Sequence, residues 1–474
     1  MGRRRHQPFE IEVDILDAAN DGRAVAKSED KVIFVEDAVP GDRAIVNVFR
    51  KQKGIYIGKV VSLVSPSPHR VEPSCRHFDI CGGCKWQNMS YEAQIEAKHQ
   101  QVVDAIQRIA KVEAGEILPI LGNETPYFYR NKLEFSFSDK AWLKKEDIGR
   151  EDIDQRSLGY HVPRIFDKVI QIEECLLQKP IVNDIRNAVL DYGREHDFGF
   201  YNMKTHEGFL RNLAFRTTEA NDELMVILIV AADRPDLVEP MFSGLAERFP
   251  EVTNWVWIVN PKKNNSYTDL PYRVWGGKHY ITERLGGYDF QISPISFFQT
   301  NPRQAERLYQ LVKDFLGQTL PEGQNQHPVI YDLYSGTGSI GIFVSDLADK
   351  IVGIEYVEEA IRDAKVNVEL NGLENFAFYA GDMKKILTDE LVAKEGKPNV
   401  IIADPPRAGM DPKVVAQILK VAPEYVIYVS CKPSTQARDL QLMQEQYELL
   451  KFRPVDMFPQ TAHVENVALL KRRA

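Results

Sequence analysis

Residues 329–341 read VIYDLYSGTGSIG, and the reading of this stretch decides the fold of the chain around it. An apolar run gives way to Gly336-Thr337-Gly338-Ser339-Ile340-Gly341, a G-x-G-x-x-G pattern set after a strand and before a helix. Outward from it, strand and helix patterns alternate. VIYDLYS, KIVGIEYV, FAFYAGD, NVIIADPP, YVIYVS, the run from Tyr447 to Pro454 and NVALLKR are seven strand candidates, with helical patterns between the earlier ones. The alternation predicts an open, mostly parallel, doubly wound α/β sheet. The last two candidates leave no room for a helix between them, so the final strand is expected antiparallel.

The glycine loop, with Glu355 closing the second strand, fits a nicotinamide dinucleotide and S-adenosylmethionine equally well. Asp332, Asp382 and the Asp404-Pro405-Pro406-Arg407 turn decide between them, because acids at successive strand ends suit a cationic sulfonium with no pyrophosphate to repel. In YVIYVSCKPST, residues 425–435, Pro433 ends the strand and leaves Ser430 and Cys431 at its carboxyl end, where such sheets carry their chemistry. Position alone also allows a small buried cysteine.

A chain of 474 residues has room for about three domains of ordinary size. With 44% apolar and 27% charged residues it has the composition of a globular protein. The longest apolar run, Leu224 to Ala232, falls far short of the ~20 residues of a membrane helix. Met1-Gly2-Arg3-Arg4-Arg5 is basic, but no apolar segment follows it, so no signal peptide is expected. Five cysteines without an export signal point to thiolate chemistry or metal binding in the cytoplasm rather than to disulfides. The net charge of -9 gives no general attraction to nucleic acid, so any RNA surface has to be local.

Residues 9 to about 66 alternate apolar and polar in FEIEVDI, KVIFVEDAV, DRAIVNVF and GKVVSLVS, with turns at Asp21-Gly22 and Pro40-Gly41-Asp42, and predict a small β-barrel. Arg50, Lys51 and Lys53 lie near Tyr56, a grouping that suits single-stranded nucleic acid on an OB-like barrel. Cys75, Cys81 and Cys84 follow with C-x5-C-x2-C spacing, and Gly82-Gly83 lets the backbone curl between two of them. A fourth ligand is then needed. Cys175 is the remaining cysteine besides Cys431, and His77 is the rival. Four thiolates suit zinc or an iron–sulfur cluster, and spacing does not separate the two. Ser90 is expected to start a long amphipathic helix to about Val112, with Ile95, Val102, Ala105, Ile106 and Ile109 on one face. The basic, aromatic Tyr129-Arg130-Asn131-Lys132 enters a mixed α+β region. Phe297 and Phe298 beside Gln299 form either core or a slot for a flat base.

Asp404-Pro405-Pro406-Arg407, Ser430-Cys431-x-Pro433-x-Thr435 and His463-Val464-Glu465-Asn466 together resemble the RNA 5-methyluridine methyltransferase family. Cys75, Cys81, Cys84 and Cys175, with the N-terminal barrel, resemble its large-subunit (23S) ribosomal RNA branch, which has a TRAM domain and a four-iron (4Fe-4S) cluster. The resemblance covers essentially the whole chain. It implies a TRAM barrel over residues 1–66, a central α+β domain with the cluster loop over 67–300, and a Rossmann-like class I methyltransferase domain over 301–474. It also implies Cys431 as nucleophile and Glu465 as general base, with Gln299, Tyr334, Ser339, Glu355, Asp382 and Asp404 around S-adenosylmethionine. The expected partner is 23S ribosomal RNA, with no membrane and a monomeric enzyme; a transfer-RNA uridine methyltransferase and an inactive RNA-binding scaffold are the alternatives. Lys432 departs from the family, which often has Asn there, and an ammonium beside Cys431 is expected to favour the thiolate.

Overall fold

The computed structural model describes residues 7–28, 31–143, 145–320 and 328–474. The basic segment Met1–Arg5 lies outside them. The first sheet is a closed barrel of Phe9–Ala18, Ala24–Ser28, Lys31–Glu36, Arg43–Gln52 and Ile55–Ser65. Alternation turns Val13, Ile15, Ile33, Val35, Ala44, Val46 and Val48 inward. Ala24–Ser28, too short to alternate clearly, is a strand that the sequence pattern does not predict. Gly58 is required in the last strand, since a Cβ there would meet Val46 at 2.5 Å. Asp42, buried just before the fourth strand, ties the barrel to the next segment by accepting from Arg70 and from the Ser67 N–H.

A central seven-stranded sheet follows, in the order Tyr272–Gly276, Asn254–Val259, Leu224–Val230, Leu210–Thr217, Lys132–Ser138, Ser157–His161, Val169–Gln171. Leu224–Val230 and Leu210–Thr217 are buried throughout, which is why their residues run apolar rather than alternating. Helices Pro180–Glu195 and Pro235–Arg248 share a core with one face. The other face shares a core with helix Pro302–Gly317 and the C-terminal sheet.

That last sheet has the order Phe376–Ala380, Lys350–Glu355, Val329–Leu333, Val400–Ala403, Tyr425–Ser430, Glu465–Arg472, Tyr447–Val455, Ala114–Ile117. All seven expected strands form, and Glu465–Arg472 runs antiparallel to both its neighbours, as expected. The strand order reverses at Val329–Leu333, which pairs in parallel with Lys350–Glu355 on one side and Val400–Ala403 on the other. Such a switch point opens a crevice at the strands' carboxyl ends. Ala114–Ile117 adds an eighth strand from far upstream, parallel to Tyr447–Val455.

The helix after the cysteine loop is Tyr91–Ala105, capped where Ser90 Oγ accepts from the Ala93 N–H, and it ends in a wide turn over Ile106–Ala110. Val102, Ala105 and Ile106 are buried as expected, but the buried face also takes in polar residues. Gln94, Lys98, Val102 and Ala105 point inward, whereas Ile109 is exposed. Polar partners far along the chain reward burial of Gln94 and Lys98, which apolar periodicity alone does not report. Among the described residues no helix is long and apolar enough to cross a membrane.

Candidate active site

Strand Val329–Leu333 delivers Asp332 and Tyr334 to the crevice. Tyr334, Gly336 and Gly338 all take positive φ, so the backbone turns back at once into helix Ser339–Phe343. A Cβ on Gly336 would meet nothing within 4 Å, so the loop borders open space where a ligand can approach its backbone. Asp332 Oδ2 accepts from the Gly341 N–H at 3.2 Å, while its buried Oδ1 has no partner. Burial first, then the carboxyls of Asp404 and Glu355, push Asp332 up to about 7. Burial likewise raises Asp404 to about 7. Glu355 accepts from the N–H of Gly336 (3.1 Å) and of Val357 (2.9 Å), which fixes it at the end of the second strand. Asp382 caps the next turn through the Lys384 N–H. Ser339 Oγ lies 3.0 Å from the phenol of Tyr309, which also meets Gln299. Asp332 feels the charges of Asp404 and Glu355, and Tyr334 those of Asp382 and Glu355, while Tyr309, which sequence reading did not single out, links Ser339 with Gln299.

Cys431 sits one residue beyond strand Tyr425–Ser430. The antiparallel register pairs Ser430 with Asn466, so the next position on each strand sets Cys431 against Glu465. Glu465 is buried, and burial, then Asp404, push its carboxyl up to about 8, with Arg407 opposing. Burial first, then Glu465 and Asp404, push the half-buried Cys431 thiol up to about 11, and Arg407 pulls the other way. Here the expectation for Lys432 needs correcting. Lys432 is exposed at the N-cap of helix Pro433–Met443, and the cation acting on the thiol is Arg407, three residues beyond Asp404. The strand end is braced from beneath: Gln436 Nε2 donates to Tyr428 O and Asn466 O, and Asn466 Nδ2 donates back to Gln436 Oε1. Tyr428 OH and the Met410 N–H both donate to buried Asp439, tying this strand to the loop after Asp404-Pro405-Pro406. A thiol, a buried carboxyl and a second carboxyl on one wall can add to an electron-poor ring carbon and remove a proton from its neighbour.

The paired phenylalanines do not make a slot. Phe298 is 5% exposed and packs against Phe290, while Phe297, 71% exposed, points out. Tyr129 is buried, with its hydroxyl donating to Pro459 O, and Asn131 holds Gln299 O and Thr300 O; only Arg130 of that patch reaches an aromatic face, over Phe458. The four cysteines of the N-terminal half share one neighbourhood. Cys175 raises the thiols of Cys75, Cys81 and Cys84, and burial takes Cys81 to about 11 and Cys84 to about 12. Among the described residues, however, no group of three or more His, Cys, Asp or Glu side chains is arranged to hold a metal ion. His77, the rival fourth ligand, is engaged elsewhere: its Nε2 accepts from the Glu173 N–H at 3.2 Å.

Comparison with known proteins gives a consistent picture. Residues 277–473 match the model of the tRNA (uracil-5-)-methyltransferase family. An uncharacterised RNA methyltransferase of Bacteroides thetaiotaomicron is 48% identical over 96% of this chain and all of its own length. One from Porphyromonas gingivalis is 46% identical over 97% of this chain and 99% of its own. Among solved structures, the Pyrococcus abyssi tRNA (uracil-54, C5)-methyltransferase bound to S-adenosyl-L-homocysteine aligns with TM-score 0.74 and 27% identity, covering 97% of this chain and 100% of that one. With near-complete coverage by these relatives and the family's domain over its C-terminal part, this chain belongs to the RNA methyltransferase family that carries the tRNA (uracil-5-)-methyltransferase domain.

Proposed function

We propose that the chain methylates carbon 5 of a uridine in RNA with Cys431 as nucleophile and Glu465 as general base. The observation that carries this is the Ser430–Asn466 register, which sets a thiol against a buried carboxyl at the mouth of an acid-lined crevice. Carbon 5 of uracil is a poor nucleophile. Addition of the Cys431 thiolate to carbon 6 moves the C5–C6 π electrons toward carbon 5 and makes it enolate-like. S-adenosylmethionine, when bound, supplies a methyl on a sulfonium, which carbon 5 takes as the sulfur–methyl bond breaks. Glu465 then removes the carbon 5 proton, the C5–H electrons re-form the double bond, and the Cys431 thiolate leaves. The orphaned Asp332 Oδ1, the two raised carboxyls and the open backbone at Gly336 fit a cationic donor. Gln299, Tyr334, Ser339, Glu355, Asp382 and Asp404 would hold it. The target base has to leave its stack to reach the crevice, and the barrel would grip neighbouring nucleotides through Arg50, Lys51 and Tyr56, where Lys51 Nζ lies 4.6 Å above the Tyr56 ring.

The substrate proposed is 23S ribosomal RNA, from the barrel and the four cysteines. The whole-length likeness to an archaeal transfer-RNA enzyme favours transfer RNA as the second reading. Cys75, Cys81, Cys84 and Cys175 would hold a structural four-iron cluster, with zinc the alternative. Burial and then the charges of Cys175, Cys81 and Cys75 raise the Cys84 thiol, and this coupling supports the grouping, although among the described residues no such set of side chains is arranged to hold a metal ion. Tritiated methyl donor with 23S and transfer-RNA transcripts, comparing the native enzyme with Cys431→Ala, tests both levels. Label at carbon 5 that depends on Cys431 is expected; equal labelling by the two proteins removes Cys431 from the mechanism. Iron and sulfide analysis after anaerobic purification decides the metal.

A further inference from the structure

Glu465 opens its strand, and its cross-strand partner Val455 closes the strand before it. The connection 456–464 between them has no helix or strand of its own, yet its polar groups are held along most of its length. The Asp456 N–H donates to Leu121 O, and its carboxylate accepts from Lys98 Nζ at 2.5 Å and Tyr91 OH at 2.7 Å. Lys98 Nζ also donates to Phe458 O, Asn301 Nδ2 to Met457 O, and Tyr129 OH to Pro459 O. Gln94 exchanges two hydrogen bonds with Gln460, through the Gln460 side chain (3.0 Å) and N–H (2.9 Å). The Gln460 carbonyl accepts from the N–H groups of Lys85 and Trp86 in the cysteine loop.

The Lys98 and Asp456 side chains are both wholly inaccessible. A buried ion pair is a costly way to gain stability, since apolar residues of the same volume do as well or better. What it enforces is one position. We propose that Lys98 and Gln94 are positioning residues: through Asp456 and Gln460 they fix the connection that delivers Glu465 beside Cys431. This rests on the reading of Glu465 as the base. Its chemical consequence is specific. With Glu465 displaced, Cys431 still adds to carbon 6 and carbon 5 still takes the methyl, but the C5–H electrons are not released, so the carbon–sulfur bond cannot break. Enzyme then accumulates covalently joined to methylated RNA, which simple loss of folded protein does not produce.

The test uses the full-length enzyme, tritiated methyl donor and ordinary uridine RNA, run on denaturing gels. Gln94→Met keeps side-chain length and removes the bonds, and Lys98→Met with Asp456→Asn removes both charges together, so no buried ion is left unpaired. For both, kcat falls about tenfold to a hundredfold with KM for the donor nearly unchanged, and a labelled enzyme–RNA band appears. Glu465→Gln supplies the reference band. If Glu465→Gln traps label while these variants turn over normally, or slow down without trapping, the positioning role is overturned. If Glu465→Gln traps nothing, the base assignment fails and the proposal goes with it.

Discussion

Replacing Arg407 by Gln should make Cys431 harder to ionise. Burial, Glu465 and Asp404 hold the thiol near about 11, and Arg407 is the cation acting against them. At ~6 Å a unit charge is worth about 0.7 kcal/mol in bulk water and about 2.8 kcal/mol at an effective dielectric of about 20. Arg407 is exposed, so the lower part of that range applies, about 1 kcal/mol or about 0.7 of a pH unit. Loss of a cation disfavours the anion, so the shift is upward. The assay is alkylation of Cys431 by iodoacetamide across pH, resolved by peptide mass spectrometry so that the other cysteines are scored separately. The midpoint of the Arg407→Gln protein should move up by about 0.7 of a unit, and that of Lys432→Gln should not move. Glu465 gains its charge near about 8, within the same titration, so Glu465→Gln should lower and sharpen the curve. The electrostatic reasoning is refuted if Lys432→Gln shifts the midpoint as far as Arg407→Gln, or if Arg407→Gln leaves it in place.

Three further outcomes follow from the same geometry. Asp332 and Asp404, raised to about 7, carry protons below that pH and charge above it, so affinity for the methyl donor should climb as pH rises through 7; calorimetry in buffers of different ionisation enthalpy should show proton release, and a flat pH dependence counts against the acid-lined site. Glu465 can accept a proton only once ionised, so resolution of the covalent adduct, followed by rapid quench, should speed up about tenfold per unit below pH 8 and level off above it. Burial alone would raise Asp42, but Arg70 with the Ser67 and Val39 N–H groups outweighs it and depresses its pKa, so its stabilisation is present above the unfolded value of about 3.9 and is lost as pH falls through the folded one. Asp42→Asn should therefore cost about 2–3 kcal/mol in urea unfolding at neutral pH and little under acid conditions; equal costs at both would sink this account.

The C-terminal sheet was legible because its inner strands, such as Lys350–Glu355, Val400–Ala403 and Tyr425–Ser430, are mostly buried and rich in β-branched residues, and because turn residues stop them sharply. Ala114–Ile117 was not legible: Ala-Gly-Glu-Ile neither alternates nor runs apolar, and it becomes a strand only because Tyr447–Val455 offers it an edge. The polar part of the buried helix face was missed for a related reason. Lys98 is buried by Asp456, 358 residues away, and no local pattern reports a partner at that distance. Phe297 and Phe298 looked equivalent in sequence, but adjacent residues in an extended segment point to opposite sides, so only one could enter the core. At Cys431, sequence proximity favoured Lys432. The fold places the third residue after Asp404 nearer in effect, because the Asp404 loop and the Cys431 loop leave neighbouring parallel strands on the same edge.

That shared edge explains why the site combines acids that local sequence would not bring together. Parallel strands end side by side, so each strand end adds a side chain to one wall, and carboxyls at several ends raise one another as water is excluded. The antiparallel last strand breaks this rule in a useful way. It begins at the edge where its neighbours finish, so its first residue, Glu465, enters the wall from the opposite chain direction and meets Cys431 across the ladder rather than along it. A parallel strand there would have needed a long crossover and would have started at the far edge of the sheet. The short irregular connection 456–464 makes the antiparallel entry possible, and under the mechanism proposed its tethering by Lys98 and Gln94 is what holds Glu465 opposite Cys431.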